Sequence, residues 1–208
     1  MSSRENPPRL IAMTDRTVAS ADETLRRFER LARAARPFSV MFQLRDRELP
    51  ARERLAFGRD LRALCTAEQQ WFQVNDRCDL AALLGADAVH LGEASVSAAD
   101  ARRILGEGVF VTRACHDPEC ELEPGVDGWV LSPIFAERKG RAALGLEGMA
   151  RLAARARAYA LGGVSASGAG KIIEVGAFGV AVVGTVLAGD DGEALLSGMR
   201  VDRAVSAR

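Results

Sequence analysis

Short apolar runs, each ending in a few polar residues, recur along this chain at regular spacing. They begin with Leu10–Met13 ending in Thr14-Asp15, Ser39–Phe42 ending in Gln43-Leu44-Arg45, and Trp71–Val74 ending in Asn75-Asp76. Ala88-Val89-His90-Leu91-Gly92 follows, then Val109–Val111 leading to Thr112-Arg113 and His116, and Trp129–Leu131 ending in Ser132. Ala158–Leu161 ending in Gly162-Gly163 and Val180–Val183 ending in Gly184-Thr185 close the series. Eight such runs alternating with helical stretches predict an α/β fold, a parallel (β/α)8 TIM barrel in a single domain. Active sites of such barrels sit at the carboxyl ends of the strands, so the polar tails converge on one mouth.

The helical partners are read from apolar spacing and punctuation. Asp22 to Ala35 carries Leu25, Phe28, Leu31 and Ala35 on one stripe, and Ala51 to Thr66 repeats this with Leu55, Leu61 and Leu64 after Pro50. Leu80 to Leu84 is a short helix closed by Gly85, and Ser97 to Leu105 opens on a Ser97/Asp100 capping pattern and stops at Gly106. Gly148 to Ala158, Ser167 to Val175 and Gly192 to Arg200 supply the remaining helices. The fifth connection, from His116 to Gly125, holds Pro118 and Pro124. A helix there is shortened to about two turns or replaced by loop. One domain is expected over residues 1–208, with its core at about 10–187 and a polar, frayed tail after Val201.

Composition narrows the function classes. With 28 basic and 28 acidic side chains the net charge is zero, which removes the electrostatic footprint of a nucleic-acid binder. No run approaches the ~18 apolar residues of a membrane span. Met1 to Arg9 lacks the apolar stretch of a signal peptide, so a cytoplasmic protein is expected, with no membrane partner. Cys65, Cys78, Cys115 and Cys120 lack metal-ligand spacing and read as small buried or half-buried thiols.

Four segments together resemble the thiamine phosphate synthase and TenI superfamily. They are Gln43-Leu44-Arg45-Asp46-Arg47, Val74-Asn75-Asp76-Arg77-Cys78-Asp79-Leu80-Ala81, Gly85-Ala86-Asp87-Ala88-Val89-His90-Leu91-Gly92, and Leu161-Gly162-Gly163-Val164. The resemblance is collinear from about residue 10 to residue 187. It implies one of two activities. The synthase joins a hydroxymethylpyrimidine pyrophosphate to a thiazole phosphate with Mg2+. The TenI-type tautomerase aromatises a thiazole carboxylate phosphate by moving a proton and requires no cofactor. Either way the partner is a small phosphorylated thiazole, and barrels of this type leave room for a homo-oligomer.

The site residues follow from the resemblance and from chemistry. Arg45 and Arg47, two apart, would face the same way on a strand and fork onto a phosphate, with Gln43 beside them. Asn75 and Asp76 match positions that contact the pyrimidine and the metal, Asp76 being the metal ligand. The second metal-binding Asp of the synthases is replaced: the chain reads Glu93-Ala94-Ser95 there. After Ser132, both threonines of the synthase pattern are missing, and Lys139 is the remaining phosphate cation. His116 matches the proposed acid/base of the tautomerases, and imidazole suits a proton shift near neutral pH. His90 reads more simply as a packed barrel histidine. Gly162, Gly163, Val183, Gly184 and Thr185 end the last two strands, where backbone N–H groups of such barrels commonly hold phosphate. An intact phosphate end with an eroded metal end favours the tautomerase over the synthase. A non-catalytic thiazole or thiamine phosphate-binding relative is the third reading.

Overall fold

A computed structural model describes residues 6–138, 140–189 and 191–199. Its strands are β1 Leu10–Met13, β2 Val40–Leu44, β3 Trp71–Asn75, β4 Ala88–Leu91, β5 Phe110–Cys115, β6 Gly128–Leu131, β7 Ala158–Leu161 and β8 Gly179–Val182. Each pairs in parallel with the next, and β8 returns to β1, so the sheet closes. The helices are α1 Ala21–Ala34, α2 Ala51–Ala67, α3 Cys78–Leu83, α4 Ala98–Leu105, α5 Gly145–Ala153, α6 Ala166–Glu174, α7 Gly184–Leu187 and α8 Gly192–Met199. The barrel expected from the apolar runs is the one observed.

Local chemistry explains the helix starts. The hydroxyls of Ser20, Ser97 and Ser165 accept from the backbone N–H of Glu23, Asp100 and Gly168, capping α1, α4 and α6. Leu10, Ala12, Val40, Phe42 and Leu44 pack outward onto the helix ring, whereas Ile11, Met13, Met41, Trp71, Phe110 and Tyr159 fill the barrel. That split is the two-residue alternation of a strand.

One open alternative is settled, one boundary is corrected and one element is new. The fifth connection contains no helix among the described residues, where a shortened one was allowed. Its two prolines lack the amide a helix needs, and arginines brace the loop instead. Arg102 donates to Gly125 O and Asp127 Oδ2, each at 2.7 Å, and Arg155 donates to Pro118 O and Cys120 O at 2.9 and 3.0 Å. The helix expected over Gly148 to Ala158 begins at Gly145 and stops at Ala153, because Arg155 is committed to that loop and Ala158 to β7. A short extra helix, α7, follows β8 directly. The helix expected at Gly192 to Arg200 is α8, with Arg200 and the tail after Val201 outside the described residues.

Candidate active site

The carboxyl ends of the strands enclose a cavity of about 510 Å³. Its floor is a buried hydrogen-bond chain. Gln43 Nε2 donates to Gln73 Oε1 at 2.7 Å, Gln73 Nε2 reaches over β4 to Thr112 Oγ1 at 2.8 Å, and His90 Nδ1 lies 2.9 Å from the same hydroxyl. Burial, then Arg47 and Arg45, push the His90 imidazole down to about 4, so it is neutral near pH 7. The packed barrel histidine is thus part of a polar floor and lines the cavity. Two buried atoms around this floor have no partner within the protein, the acceptor Gln43 Oε1 and the donor Asn75 Nδ2. Both side chains line the cavity, with these two atoms themselves buried at its floor.

Arg45 and Arg47 both line the cavity, but β2 ends at Leu44, so strand alternation is not what aims them. The Arg45 amide donates to Thr14 Oγ1 at 2.8 Å, and its guanidinium pairs with Asp15 Oδ2 at 3.3 Å. Burial alone would raise the Asp15 carboxyl, but hydrogen bonds from Thr17 and the charges of Arg45 and Arg138 hold it below its ordinary range. Arg47 donates to Asn75 Oδ1 at 3.4 Å, which orients the free amide nitrogen of Asn75.

Asp76 sits just past β3 at φ +67°, a backbone conformation Asp tolerates better than most residues. Its Oδ1 accepts from the Ser95 hydroxyl, and Ser95 Oγ accepts from the Gly92 amide at 2.7 Å. The residue replacing the second carboxylate therefore touches the first. Among the described residues no group of three or more His, Cys, Asp or Glu could hold a metal by itself. One carboxylate beside an arginine-lined mouth fits a magnesium ion that brings its own phosphate oxygens and waters.

His116 stands across the opening. Its Nδ1 lies 2.6 Å from Ser132 O and 3.2 Å from Ser132 Oγ. A carbonyl only accepts, so Nδ1 carries a proton and Nε2 is the nitrogen that faces the lip. Glu93 Oε2 is 3.9 Å from Nε2 and 3.0 Å from Arg141 NH2, so an ion pair links the β4–α4 and β6–α5 loops at the lip. Arg138 and Arg141 face the cavity on either side of Lys139, which lies outside the described residues.

The expected anion cradle is only partly in place. Gly162 and Val183 line the cavity, whereas Gly163, Gly184 and Thr185 do not. The Thr185 hydroxyl donates to Val164 O at 2.5 Å and so ties the last two loops together. Gly162 and Gly163 adopt φ of +103° and +71°, and a Cβ on either would press on Pro133 or Phe135. These glycines let the β6–α5 loop lie close over β7, a packing role beside any role with phosphate.

Two functional arginines lay hidden from sequence reasoning. Arg113 donates to Gly92 O and Val96 O at 2.8 and 2.7 Å, and its Nε makes an ion pair with Glu123 at 2.5 Å, fixing the loop that carries Glu93 and Ser95. Arg54, from α2, donates to Asn75 O at 2.7 Å and fixes the end of β3. Arg113 carries a readable signal, a charge closing an apolar strand as Arg45 does. Arg54 has none, because a helical arginine looks like any solvated one.

A family model described as thiamine monophosphate synthase, TMP-TENI, matches residues 10–186. The chain is 35% identical over 199 residues to the thiamine-phosphate synthase of Thermus thermophilus, covering 91% of this chain and 94% of that one. It is 34% identical over 158 residues to the thiamine-phosphate synthase of Gloeobacter violaceus, covering 73% of this chain and 46% of that one. The match thus spans about half the length of some relatives. The solved thiamine phosphate pyrophosphorylase from Pyrococcus furiosus superposes with a TM-score of 0.76 at 24% identity, covering 92% and 93% of the two chains. At that identity it speaks for the fold alone.

Proposed function

Because the chain belongs to the thiamine monophosphate synthase (TMP-TENI) family, we propose that it is an enzyme of thiamine biosynthesis. Its reaction couples a hydroxymethylpyrimidine pyrophosphate to a thiazole phosphate at the barrel mouth. Sequence reasoning favoured the tautomerase. The relatives reported above carry the synthase name, and the cavity supplies a second argument. The observation that carries the reading is the unpaired acceptor and donor, Gln43 Oε1 and Asn75 Nδ2. An aminopyrimidine offers the complement, an exocyclic N–H donor and a ring nitrogen acceptor. A site that hydrogen-bonds such groups rejects ligands that lack them.

In the reaction the thiazole ring nitrogen donates its electron pair to the pyrimidine methylene carbon. The methylene C–O bond breaks, and the diphosphate leaves with the electron pair of that bond. No proton has to move. The chain's part is to bind and to stabilise charge. Gln43 and Asn75 orient the pyrimidine, and Arg45, Arg47, Arg138 and Arg141 face the departing anion. Asp76 would hold the magnesium carried by the diphosphate, which supplies further neutralisation of the leaving group. His116, with Nδ1 held by Ser132, positions the thiazole side of the cavity.

The tautomerase reading keeps one specific support, an imidazole at the lip whose Nδ1 is held by Ser132, leaving Nε2 for proton transfer. One assay separates them. Purified protein is given both synthase substrates with Mg2+, and thiamine phosphate is measured for wild type and His116→Asn. Under the synthase reading wild type makes thiamine phosphate, and the variant stays within about tenfold, since no general acid–base step worth 10²–10⁴ is lost. No thiamine phosphate, with aromatisation of a thiazole carboxylate phosphate that vanishes in the variant, would replace it with the tautomerase. Binding of both ligands without turnover by either route would leave the non-catalytic relative.

A further inference from the structure

Behind His116 the wall holds a feature the coupling reaction does not use. Cys115 is the last residue of β5, Cys120 lies in the helix-free loop that follows, and their sulfurs are 2.9 Å apart. Cys115 Sγ also donates to Asp117 O at 2.8 Å. A second, open cavity of about 560 Å³ is lined by both cysteines and shares His116, Glu93 and Arg141 with the mouth, so solutes reach the pair from outside the barrel. Cys120 is half-buried and Cys115 buried. Cys65 is buried on α2 and Cys78 on α3, and neither has a sulfur partner among the described residues.

We propose that Cys115 and Cys120 form a reversible intramolecular disulfide, a covalent modification site in the wall beside His116. A bonded pair needs a sulfur separation near 2.05 Å, so the two atoms close by about 1 Å. The loop can supply that movement because no helix stiffens it, while Arg155 keeps Pro118 and Cys120 docked on α5. The oxidant is a low-molecular-weight disulfide such as glutathione disulfide. The Cys120 thiolate attacks one of its sulfurs, forming a mixed disulfide and releasing one glutathione thiolate, which takes up a proton. Cys115 then loses its proton to solvent and attacks Cys120 Sγ, and the second glutathione leaves as thiolate. Two protein thiols are oxidised and one glutathione disulfide is reduced to two thiols. Burial and the Cys120 neighbour push the Cys115 thiol of the reduced pair up to about 12, so Cys115 is not the first to attack. Closure also removes the S–H donor from the carbonyl of Asp117, the residue after His116.

The test uses the full chain with glutathione disulfide, followed by denaturation, alkylation and peptide mass spectrometry. Two of the four cysteines become protected, in one peptide joining 115 to 120, and dithiothreitol restores both. A Cys65→Ser/Cys78→Ser protein still loses its two remaining thiols. Cys120→Ser forms no cross-link and keeps Cys115 alkylatable. The proposal is overturned if 115 and 120 stay fully alkylated in the folded protein. It is equally overturned if Cys120 merely retains a glutathione adduct that Cys115 never displaces.

Discussion

Two layers of side chains fill the barrel, both buried, and they are built on opposite rules. The layer near the amino ends of the strands is apolar and satisfied. Trp71 meets Phe110 edge-on at 5.7 Å, Tyr159 meets Phe178 at 5.4 Å, and the Tyr159 hydroxyl donates to Pro8 O at 2.8 Å. The layer near the carboxyl ends is Gln43, Gln73, Thr112, His90 and Asn75, all buried, with two amide atoms left unpaired. Burial therefore does not distinguish scaffold from site here. Between these two layers satisfaction does, though outside the barrel Thr24 Oγ1 on α1 is also buried and unpaired: an orphaned polar atom in a well-packed layer is costly unless a ligand completes it. Under the proposed function the first layer answers for stability and the second for binding, the division expected between the two faces of such a barrel.

The largest test removes a ring from the lower layer. Phe110→Ala is expected to cost about 3–5 kcal/mol of unfolding free energy, the range for a truncated core aromatic. Ligand affinity at the mouth should stay within about twofold. Urea unfolding and a ligand titration on the folded variant measure the two quantities. A loss of affinity beyond about tenfold would mean that the layers are mechanically one unit, and the comparison would fail.

The next effect belongs to the upper layer and is read by pH. The folded-state value of His90 lies at about 4, below the ordinary 6.5. Between those values the unfolded chain binds a proton that the folded chain refuses, so stability is full above pH 6.5 and falls as the pH drops toward 4. By pH 5 the loss from this group is about 2 kcal/mol. His90→Asn should flatten that part of the curve relative to wild type. Parallel curves for the two proteins would place the acid sensitivity elsewhere.

How far each layer could be read from sequence follows the same division. The strands were legible because each opens on an apolar run, such as Leu10–Met13 or Trp71-Phe72, and ends in polar punctuation. Caps such as Ser97 were legible because their chemistry is local. The helix-free fifth connection was half legible. Its prolines announced a problem, but the arginines that solve it come from α4 and from the turn after α5. In the mouth, residue types were readable and their commitments were not. Ser95 read as a lost carboxylate, while in space it caps Asp76. Thr185 read as a phosphate ligand, while its hydroxyl is committed to Val164. Such pairings join residues far apart in the chain, which periodicity cannot report.

A smaller effect separates two arginines that look alike in sequence. Arg45 is held by Asp15, whereas Arg47 reaches only Asn75 at 3.4 Å and is exposed. Replacing either by Gln should weaken inhibition by inorganic pyrophosphate by about tenfold at low salt, the change worth about 1.4 kcal/mol. Stability should shift by no more than about 0.5 kcal/mol, as for surface changes. The Arg47 contribution should fade more as salt rises, because exposed charges are screened more than partly buried ones. Equal salt dependence would show that Asp15 does not organise Arg45.

The finest test concerns the corner where the mouth departs from the family pattern. Ser95 donates to Asp76 Oδ1, so in the ligand-free protein that carboxylate has a neutral partner. Ser95→Asp replaces the donor with a like charge, and the ligand-free protein should lose about 1 kcal/mol or less, since exposed charge pairs interact weakly. Magnesium together with pyrophosphate should restore that loss, because two carboxylates can share a cation that one carboxylate and a hydroxyl share less well. Thermal melts of the two proteins, each with and without Mg2+ and pyrophosphate, read the difference directly. A larger ligand-induced rise for Ser95→Asp than for wild type assigns Asp76 to the cation and explains why a hydroxyl at 95 leaves the site dependent on ligand-borne phosphate. An equal rise in both proteins would remove Asp76 from the cation's surroundings and leave the arginines to bear the whole charge of the leaving group.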